Sequence, residues 1–391
     1  MITVTEAKQL IKENCPAEKT AWIPLIESFG YVLAEPVYSL IDTPPFNQSA
    51  MDGYTFSFNN WDGKSELKVV GEIQAGIFSD DLLNPNECIR IYTGAALPYS
   101  ADTVVMQEKV ITDRMKVSVI DEQLTKGNNV RLKGSQTKKG ECILETGHLL
   151  TPAAISFLAS AGIDKVNIYS KPTVSIIVTG KELVHLGEII SGAKIYESNS
   201  FGLTAALNQL NISPVSVCVV DDQIEEIANE ISKHLHFDIL ILTGGVSVGD
   251  YDFVSSALEK CGVQKIFHKV KQKLGKPLYF GRFKQTLVFA LPGNPAAVLS
   301  CFYEYVMPAI SSYTKKEYFK TFKFPLANDF KKKPGITFFL KGKTSENEVA
   351  ILNNQESYLM NSFAMADCIV ELDEERDNFK KGDLVTISMI I

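Results

Sequence analysis

The residues Thr243, Gly244, Gly245, Val246, Ser247, Val248, Gly249 and Asp250 follow directly on the apolar run Ile239–Leu242. Glycine has no Cβ, so backbone N–H groups in such a loop can approach a ligand closely. A helix-like segment, Phe253–Lys260, starts just after. Strand, small-residue loop and helix N-terminus together make an anion site, because unpaired N–H groups and the helix dipole both favour negative charge. The spacing is neither G-x-G-x-x-G nor a Walker loop, so it names no nucleotide, and a tight left-handed turn is the plainer alternative. Carboxylates gather nearby. Asp221–Asp222 ends one predicted strand, Asp250 and Asp252 follow another, and Glu182 follows a third. Carboxylates beside an anion repel it unless a cation bridges them, and Mg²⁺ does so with one or two carboxylates plus phosphate oxygens. Asp222 and Asp252 are also suited to helix capping, expected of at least one of them. Lys269, Lys273 and Lys276 lie at and after the predicted strand Lys265–Val270, with Gly275 and Pro277 among them. A near-surface charge pair at contact is worth ~4 kcal/mol before desolvation and entropy, so three converging ammonium groups gain from an anion, whereas a solvated loop needs none.

These residues require a scaffold that brings strand ends together. Val174–Val178, Val215–Val220, Ile239–Leu242, Lys265–Val270 and Leu287–Leu291 read as near-continuous apolar strands. They alternate with helices at Asn199–Leu210 (capped by Asn199 or Ser200), Gln223–Leu235, Phe253–Lys260 and Ala296–Ile310. Such alternation predicts a mostly parallel sheet covered on both faces, with ligands outside the carboxyl ends of its strands. Thr179–Glu182, Thr243–Asp250 and Pro292–Pro295 are three loops leaving those ends. Met1–Cys15 reads as an amphipathic helix with a Thr3/Glu6 capping box and an apolar face of Ala7, Leu10 and Ile11. Residues 46–129 read as short strands, including Leu67–Val70, Cys88–Tyr92, Thr103–Met106 and Met115–Ile120. A helix at Pro152–Ala161 is expected to return beside the N-terminal one, which makes the β region an insertion. Long turns expose Asp52, Thr93 and Glu108, by default as turn residues. Residues 313–391 return to β texture at Thr337–Leu340, Val349–Leu352, Cys368–Leu372 and Leu384–Ile391, and Lys331–Lys333 reads as a solvated turn.

Composition narrows the class. The chain has 391 residues, 45% hydrophobic and 22% charged, which is ordinary for a multidomain globular protein. A net charge of −7 argues against nucleic acid as a partner. Seven scattered cysteines without a C-x-x-C pair suit free thiols in a reducing cytoplasm. A zinc site is not expected: His234 and His236 read as solvated helix-end histidines without a cysteine or carboxylate at ligand spacing. No run approaches the ~20 apolar residues of a membrane span, and the N-terminus is not a signal peptide.

Taken together the motifs resemble the molybdopterin molybdenumtransferase family, the MoeA proteins and the C-terminal part of gephyrin. The matching segments run in family order from residue 49 to 295: Ser49–Tyr54, Arg90–Ala95 with Leu97-Pro98, Ala101–Glu108, Asn129–Arg131, Thr179-Gly180 with Glu182-Leu183, Asn199, Thr243–Gly249, Gly275–Pro277 and Leu291–Pro295. Beyond residue 313 only the β texture and Lys381–Asp383 match. The resemblance implies a multidomain α/β plus β chain. A helical domain would comprise 1–45 and 130–168, a β-rich inserted domain 46–129, a parallel-sheet molybdopterin-binding module 169–312, and a small C-terminal β domain 313–391, with the N-terminal region elongated. It implies a homodimeric cytoplasmic transferase that takes molybdate and adenylylated molybdopterin and releases AMP with Mg²⁺, supplied by a molybdopterin adenylyltransferase. Residue by residue, it assigns Glu182, Asp221 and Asp252 to the metal and adenylate, and Lys269, Lys273 and Lys276 to molybdate or phosphate. Thr243, Gly244, Gly245 and Ser247 would hold the pterin phosphate region, bordered by Pro292, Asn294 and Pro295. Asp52 and Thr93 would come from the second subunit. Lys181 replaces the family's usual aspartate, Ser135 and Gln136 its usual Glu-Asp, Leu274 a usual proline, and Ile336 and Lys341 common arginines. An impaired paralogue that binds pterin or acts as a scaffold, and a molybdopterin adenylyltransferase, are the competing readings.

Overall fold

The computed structural model describes residues 1–80, 82–246, 253–318 and 320–390. Two compact units result, one of Met1–Thr20 with Tyr169–Ile391, the other of Ala21–Ile168.

The larger unit is built on a six-stranded sheet. We label its elements α1 (Val4–Asn14), β1 (Val174–Thr179), α2 (Asn199–Gln209), β2 (Ser216–Val220), α3 (Ile224–His234), β3 (Ile239–Thr243), α4 (Phe253–Lys260), β4 (Gln264–His268), β5 (Tyr279–Phe283), β6 (Thr286–Leu291) and α5 (Pro295–Cys301). The order is β2-β1-β3-β6-β5-β4. β1, β3 and β6 are buried along their whole length, as continuous apolar runs in a doubly covered sheet must be. The four strands β2, β1, β3 and β6 pair in parallel. β5 is antiparallel to both neighbours and was not anticipated, because Tyr279–Phe283 carries Gly281 and Arg282 rather than an unbroken apolar run. Two antiparallel steps leave β4 pointing the same way as β6, so its carboxyl end returns to the common rim.

Three expectations need correction. α1 forms with its capping box intact and buries Val4, Ala7 and Ile11, but against Ile310 and Tyr313 in the core of the larger unit. The helix Pro152–Ser160 instead packs with Leu25, Leu33 and Val166 in the other unit. The single helix expected over 296–310 is α5, then a π-helical turn Phe302–Val306, then Met307–Thr314, and the π turn buries Glu304 completely. Lys332, at the centre of the supposed solvated run, is buried. Its Nζ donates to the Ile336 carbonyl at 3.0 Å and lies 5.3 Å from the Phe338 ring centre.

The C-terminal strands form a second sheet in the same unit, in the order Gln272–Lys273, Thr337–Thr344, Cys368–Leu372, Leu384–Met389, Thr321–Pro325. Its first strand belongs to the lysine loop after β4, with Lys273 opposite Phe338. In the smaller unit, strand Val37–Tyr38 pairs with Cys142–Leu144. Between them in the chain lies a six-stranded sheet, ordered Thr103–Met106, Gly53–Phe56, Glu87–Ile91, Leu67–Ile73, Lys116–Val119, Val110–Asp113. None of the described helices is long and apolar enough to cross a membrane.

Candidate functional site

Strand register fixes which loops share a rim. Thr179 is opposite Val220, Val178 opposite Thr243, and Thr243 opposite Leu291. Ala290 is opposite Tyr279, and Tyr279 opposite His268. Glu182, Asp221, Gly244, Pro292 and Lys269 therefore all follow strand ends on one side of the sheet. Their spread is large. Asp221 follows edge strand β2 and Lys269 the opposite edge strand β4, five strand spacings or ~24 Å apart. The acidic and basic groups stand at two ends of one rim and do not form a contact cluster.

At the middle of the rim the β3 loop folds over β1. A Cβ on Gly244 would stand 2.1 Å from the Thr179 carbonyl oxygen, and Gly244 has φ +92°, so only glycine fits there. Thr243 is fully buried. Its hydroxyl donates to the Pro292 carbonyl (2.9 Å) and accepts from Asn199 Nδ2 (3.0 Å), which also donates to the Gly293 carbonyl (2.8 Å). Thr243 thus ties two rim loops and the start of α2 together rather than offering a free hydroxyl. A cleft of about 450 Å³ opens over this knot, bordered by Glu182, Tyr196, Glu197, Asn199, Gly244 and Asn294. Buried acceptors without a hydrogen-bond donor among the described residues include Thr179 Oγ1, Asn199 Oδ1 and Asp222 Oδ1. Each such buried orphan costs about 1–3 kcal/mol. Of the two residues suited to capping, Asp222 does not cap: α3 begins after Gln223 with no side-chain cap. Asp222 Oδ1 lies 3.6 Å from where a Cβ on Gly245 would stand, which puts a carboxylate at the glycine loop. α2 likewise starts after Ser198, without side-chain capping by Asn199 or Ser200. Ser247, Asp250 and Asp252 lie outside the described residues.

A second cleft, about 390 Å³, adjoins the first through Asn294, which borders both. Lys273, Lys276, Pro292, Ile336 and Ser357 line it, and Lys269 does not. The lysine loop is tightly turned: Lys269 (φ +72°) and Leu274 (φ +66°) are left-handed, and Val270 N–H donates to the Lys276 carbonyl at 3.0 Å. Asn294 Nδ2 donates to Ser357 Oγ at 2.7 Å, and Ala296 N–H to the Ser357 carbonyl at 3.1 Å. The loop that carries Ser357 is held by Lys341. This lysine is fully buried and donates to the carbonyls of Asn354 (2.7 Å), Glu356 (3.2 Å) and Leu359 (3.1 Å). Ser357 and Tyr358 were missed at the sequence level, because a polar loop between short strands carries no periodic signal. The one available hint was Lys341 at the end of the apolar run Phe338–Leu340.

In the smaller unit, Asp52 Oδ1 accepts from Thr93 N–H (2.8 Å) and Thr93 Oγ1 (2.7 Å). The Thr93 N–H and hydroxyl hold its carboxyl below the usual aspartate range. The pair closes a turn in the way expected of turn residues. Glu108 is exposed in the short 3₁₀ turn Gln107–Lys109.

The expectation for His234 is overturned. It is buried, not solvated, and Cys218 and Glu230 lie beside it. Glu230 is one helical turn before His234, while Cys218 is brought from β2 by tertiary packing, which sequence spacing cannot reveal. Among the described residues, this is the only group of three side chains of metal-ligating type within 4.8 Å of one another; Glu182 and Asp221 join no such group.

Comparison with known proteins gives matches along most of the chain. Residues 2–162 match the MoeA N-terminal region (domain I and II), residues 175–312 a probable molybdopterin binding domain, and residues 323–390 the MoeA C-terminal region (domain IV). A molybdopterin molybdenumtransferase of Haemophilus influenzae is 32% identical over 99% of this chain and 98% of its own. One from Staphylococcus aureus is 31% identical over 99% and 95%. The crystal structure of a molybdopterin biosynthesis MoeA protein from Pyrococcus horikoshii superposes with a TM-score of 0.86 at 26% identity, covering 100% of this chain and 99% of the other. With full-length identity above 30% and a shared fold, the chain belongs to the MoeA family of molybdopterin molybdenumtransferases.

Proposed function

We propose that this protein inserts molybdate into adenylylated molybdopterin and releases AMP with the help of Mg²⁺. The observation that carries the reading is the pair of adjoining clefts sharing Asn294, one over a glycine cradle with carboxylates near, the other lined by Lys273 and Lys276. Molybdate is a tetrahedral dianion, so ammonium groups and a hydroxyl such as Ser357 suit it as they suit phosphate. The relatives matched over nearly their whole length are named molybdopterin molybdenumtransferases, which supports the metal-transfer part of the reading. In this reading Gly244 and Gly245 receive the pterin phosphate region on backbone N–H groups, Ser247 is assigned to the same ligand by the resemblance, and Thr243 holds the loop in place. Pro292, Asn294 and Pro295 form the floor between the clefts, and Lys269 adds positive charge at the rim. Glu182 and Asp221, with Asp252, would hold Mg²⁺. An all-oxygen donor set suits that hard ion, and the orphaned Asp222 carboxylate strengthens the fit. Bound there, the ion neutralises charge on a phosphoanhydride.

The reading includes a homodimer in which Asp52 and Thr93 of one copy serve the other, and a separate adenylyltransferase as substrate donor. Purified protein with adenylylated molybdopterin, molybdate and Mg²⁺ is expected to release AMP and yield metal-loaded cofactor, and sedimentation to give twice the chain mass. Absence of AMP under those conditions overturns the assignment. Lys181, in place of the family's aspartate, motivates one other reading, a pterin-binding paralogue without turnover. Tight pterin binding without AMP release, with activity restored by Lys181→Asp plus Gln136→Asp, would establish that instead.

A further inference from the structure

Outside the rim, one cluster has the composition of a coordination sphere. Cys218 Sγ, a carboxylate oxygen of Glu230 and a ring nitrogen of His234 lie within 4.8 Å of one another. The ring is already oriented. His234 Nδ1 is 2.8 Å from the Glu230 backbone carbonyl, which can only accept, so the ring proton is on Nδ1. Nε2 therefore keeps its lone pair and accepts from Ser216 Oγ at 3.1 Å. Ser216 and Cys218 are two apart on β2 and share a face of the strand, so the lone pair faces the side of the strand that carries the thiol. An Nδ1–H bonded to a backbone carbonyl fixes the tautomer as it does in ligating histidines, and at Nε2 an ion would take the place of the Ser216 hydroxyl. Glu230 supplies the anionic ligand: Oε2 is held by Lys233 Nζ at 2.7 Å, and Oε1 lies 3.8 Å from Nδ1. Cys218 and Glu230 are partly exposed, which provides a path for an ion, while His234 is buried.

We propose that Cys218, Glu230 and His234 bind a thiophilic divalent cation of the zinc type, fastening α3 to the edge strand β2. Sulfur, imidazole and carboxylate suit zinc and not the hard magnesium ion of the rim. Tetrahedral zinc needs its ligands ~3.3–3.8 Å apart, given bonds of 2.0–2.3 Å, a closure that side-chain rotation provides. Binding releases one proton, from the Cys218 thiol to solvent, and a water takes the fourth position. The site is independent of the activity proposed above, although Asp221 follows Cys218 by three residues.

The test uses the full-length reduced protein, stripped with chelator and titrated with Co²⁺ as a spectroscopic probe. One equivalent is expected to give a thiolate-to-cobalt charge-transfer band that Zn²⁺ abolishes by displacement. Cys218→Ser is expected to remove the band and weaken zinc binding by at least about tenfold, the scale set by even outer-shell losses. Cys261→Ser is expected to keep it, since that thiol faces the Ala228 carbonyl and Ser232 instead. Should Cys218→Ser fail to fold by circular dichroism, Glu230→Gln replaces it and is expected to weaken the band likewise. No band, a band that survives Cys218→Ser, a cobalt titration unweakened in Glu230→Gln, or a band lost equally in Cys261→Ser, overturns the proposal.

Discussion

At the scale of single residues, the site separates groups that reach a ligand from groups that hold others still. Lys276 borders the second cleft with Lys273, and a charge-assisted hydrogen bond contributes about 1.5–3 kcal/mol. Lys276→Ala is therefore expected to raise the molybdate concentration for half-maximal AMP release about tenfold or more, with unchanged melting temperature. An equal loss at saturating molybdate would argue against an anion role. Asp238 is a holding residue. It is buried, and burial alone would raise its pKa, yet Lys19 and the N–H and hydroxyl of Thr173 (2.9 and 2.8 Å) outweigh that and hold it below the usual range. A carboxyl whose folded pKa is depressed adds stability above its unfolded pKa, near 3.9, and loses it as pH falls through the folded value. Asp238→Asn is expected to destabilise the protein at pH 7 and to flatten the acid limb of stability below about pH 4. Urea unfolding at pH 7 and pH 3 checks this; parallel curves for wild type and variant would refute it.

At the scale of elements, the parallel core of the sheet was readable because β1, β3 and β6 are uniformly apolar and their loops are marked by glycine and proline. β5 was not, because an antiparallel strand beside the edge tolerates Gly281 and Arg282 on its way to pairing with β6. The lysine loop bears on one departure that the resemblance implies. Leu274 stands at a position where the resemblance leads one to expect proline, and its φ is +66° with the side chain buried. Proline is locked near −65°, so this loop has a different backbone path from one built on proline. Leu274→Pro is expected to cost more than about 1 kcal/mol, because a native conformation incompatible with proline must rearrange. Lowered thermal stability together with weakened molybdate dependence is the expected pair of readouts. A stabilised variant would mean that the loop readily adopts the proline path. The carboxylates at the rim were legible by type and order; Asp222 was one of two candidates for a cap because capping residues and ligands share one chemistry, and sequence alone does not separate them.

At the scale of the whole molecule, the N-terminal helix is what the sequence reading placed least well, since an amphipathic face states that it is buried and not against what. α1 carries Lys8 into the larger unit, where Nζ meets Glu304 Oε2 at 2.6 Å and Glu371 Oε2 at 3.5 Å. Residues 8, 304 and 371 come from the first helix, the π turn and the C-terminal sheet, so one ammonium group links three distant parts of the chain. Glu304 is fully buried, and burial raises its pKa despite the attraction of Lys8. Breaking a buried pair by removing one partner costs about 3–5 kcal/mol. Because the Lys8 side chain is about a third exposed, solvent screening puts Lys8→Met at or below the lower end, about 3 kcal/mol or less. The pH dependence identifies the cause. A buried carboxyl with a raised folded pKa adds no penalty below its unfolded value near 4.3 and an increasing one as pH rises through that value towards the folded pKa. The gap between wild type and Lys8→Met is therefore expected to be large at pH 8 and to shrink towards pH 5 as Glu304 takes up a proton. Lys8→Met with Glu304→Gln is expected to recover most of the loss. A gap independent of pH, unrepaired by the second substitution, would assign the effect to lost packing of α1 rather than to the stranded charge.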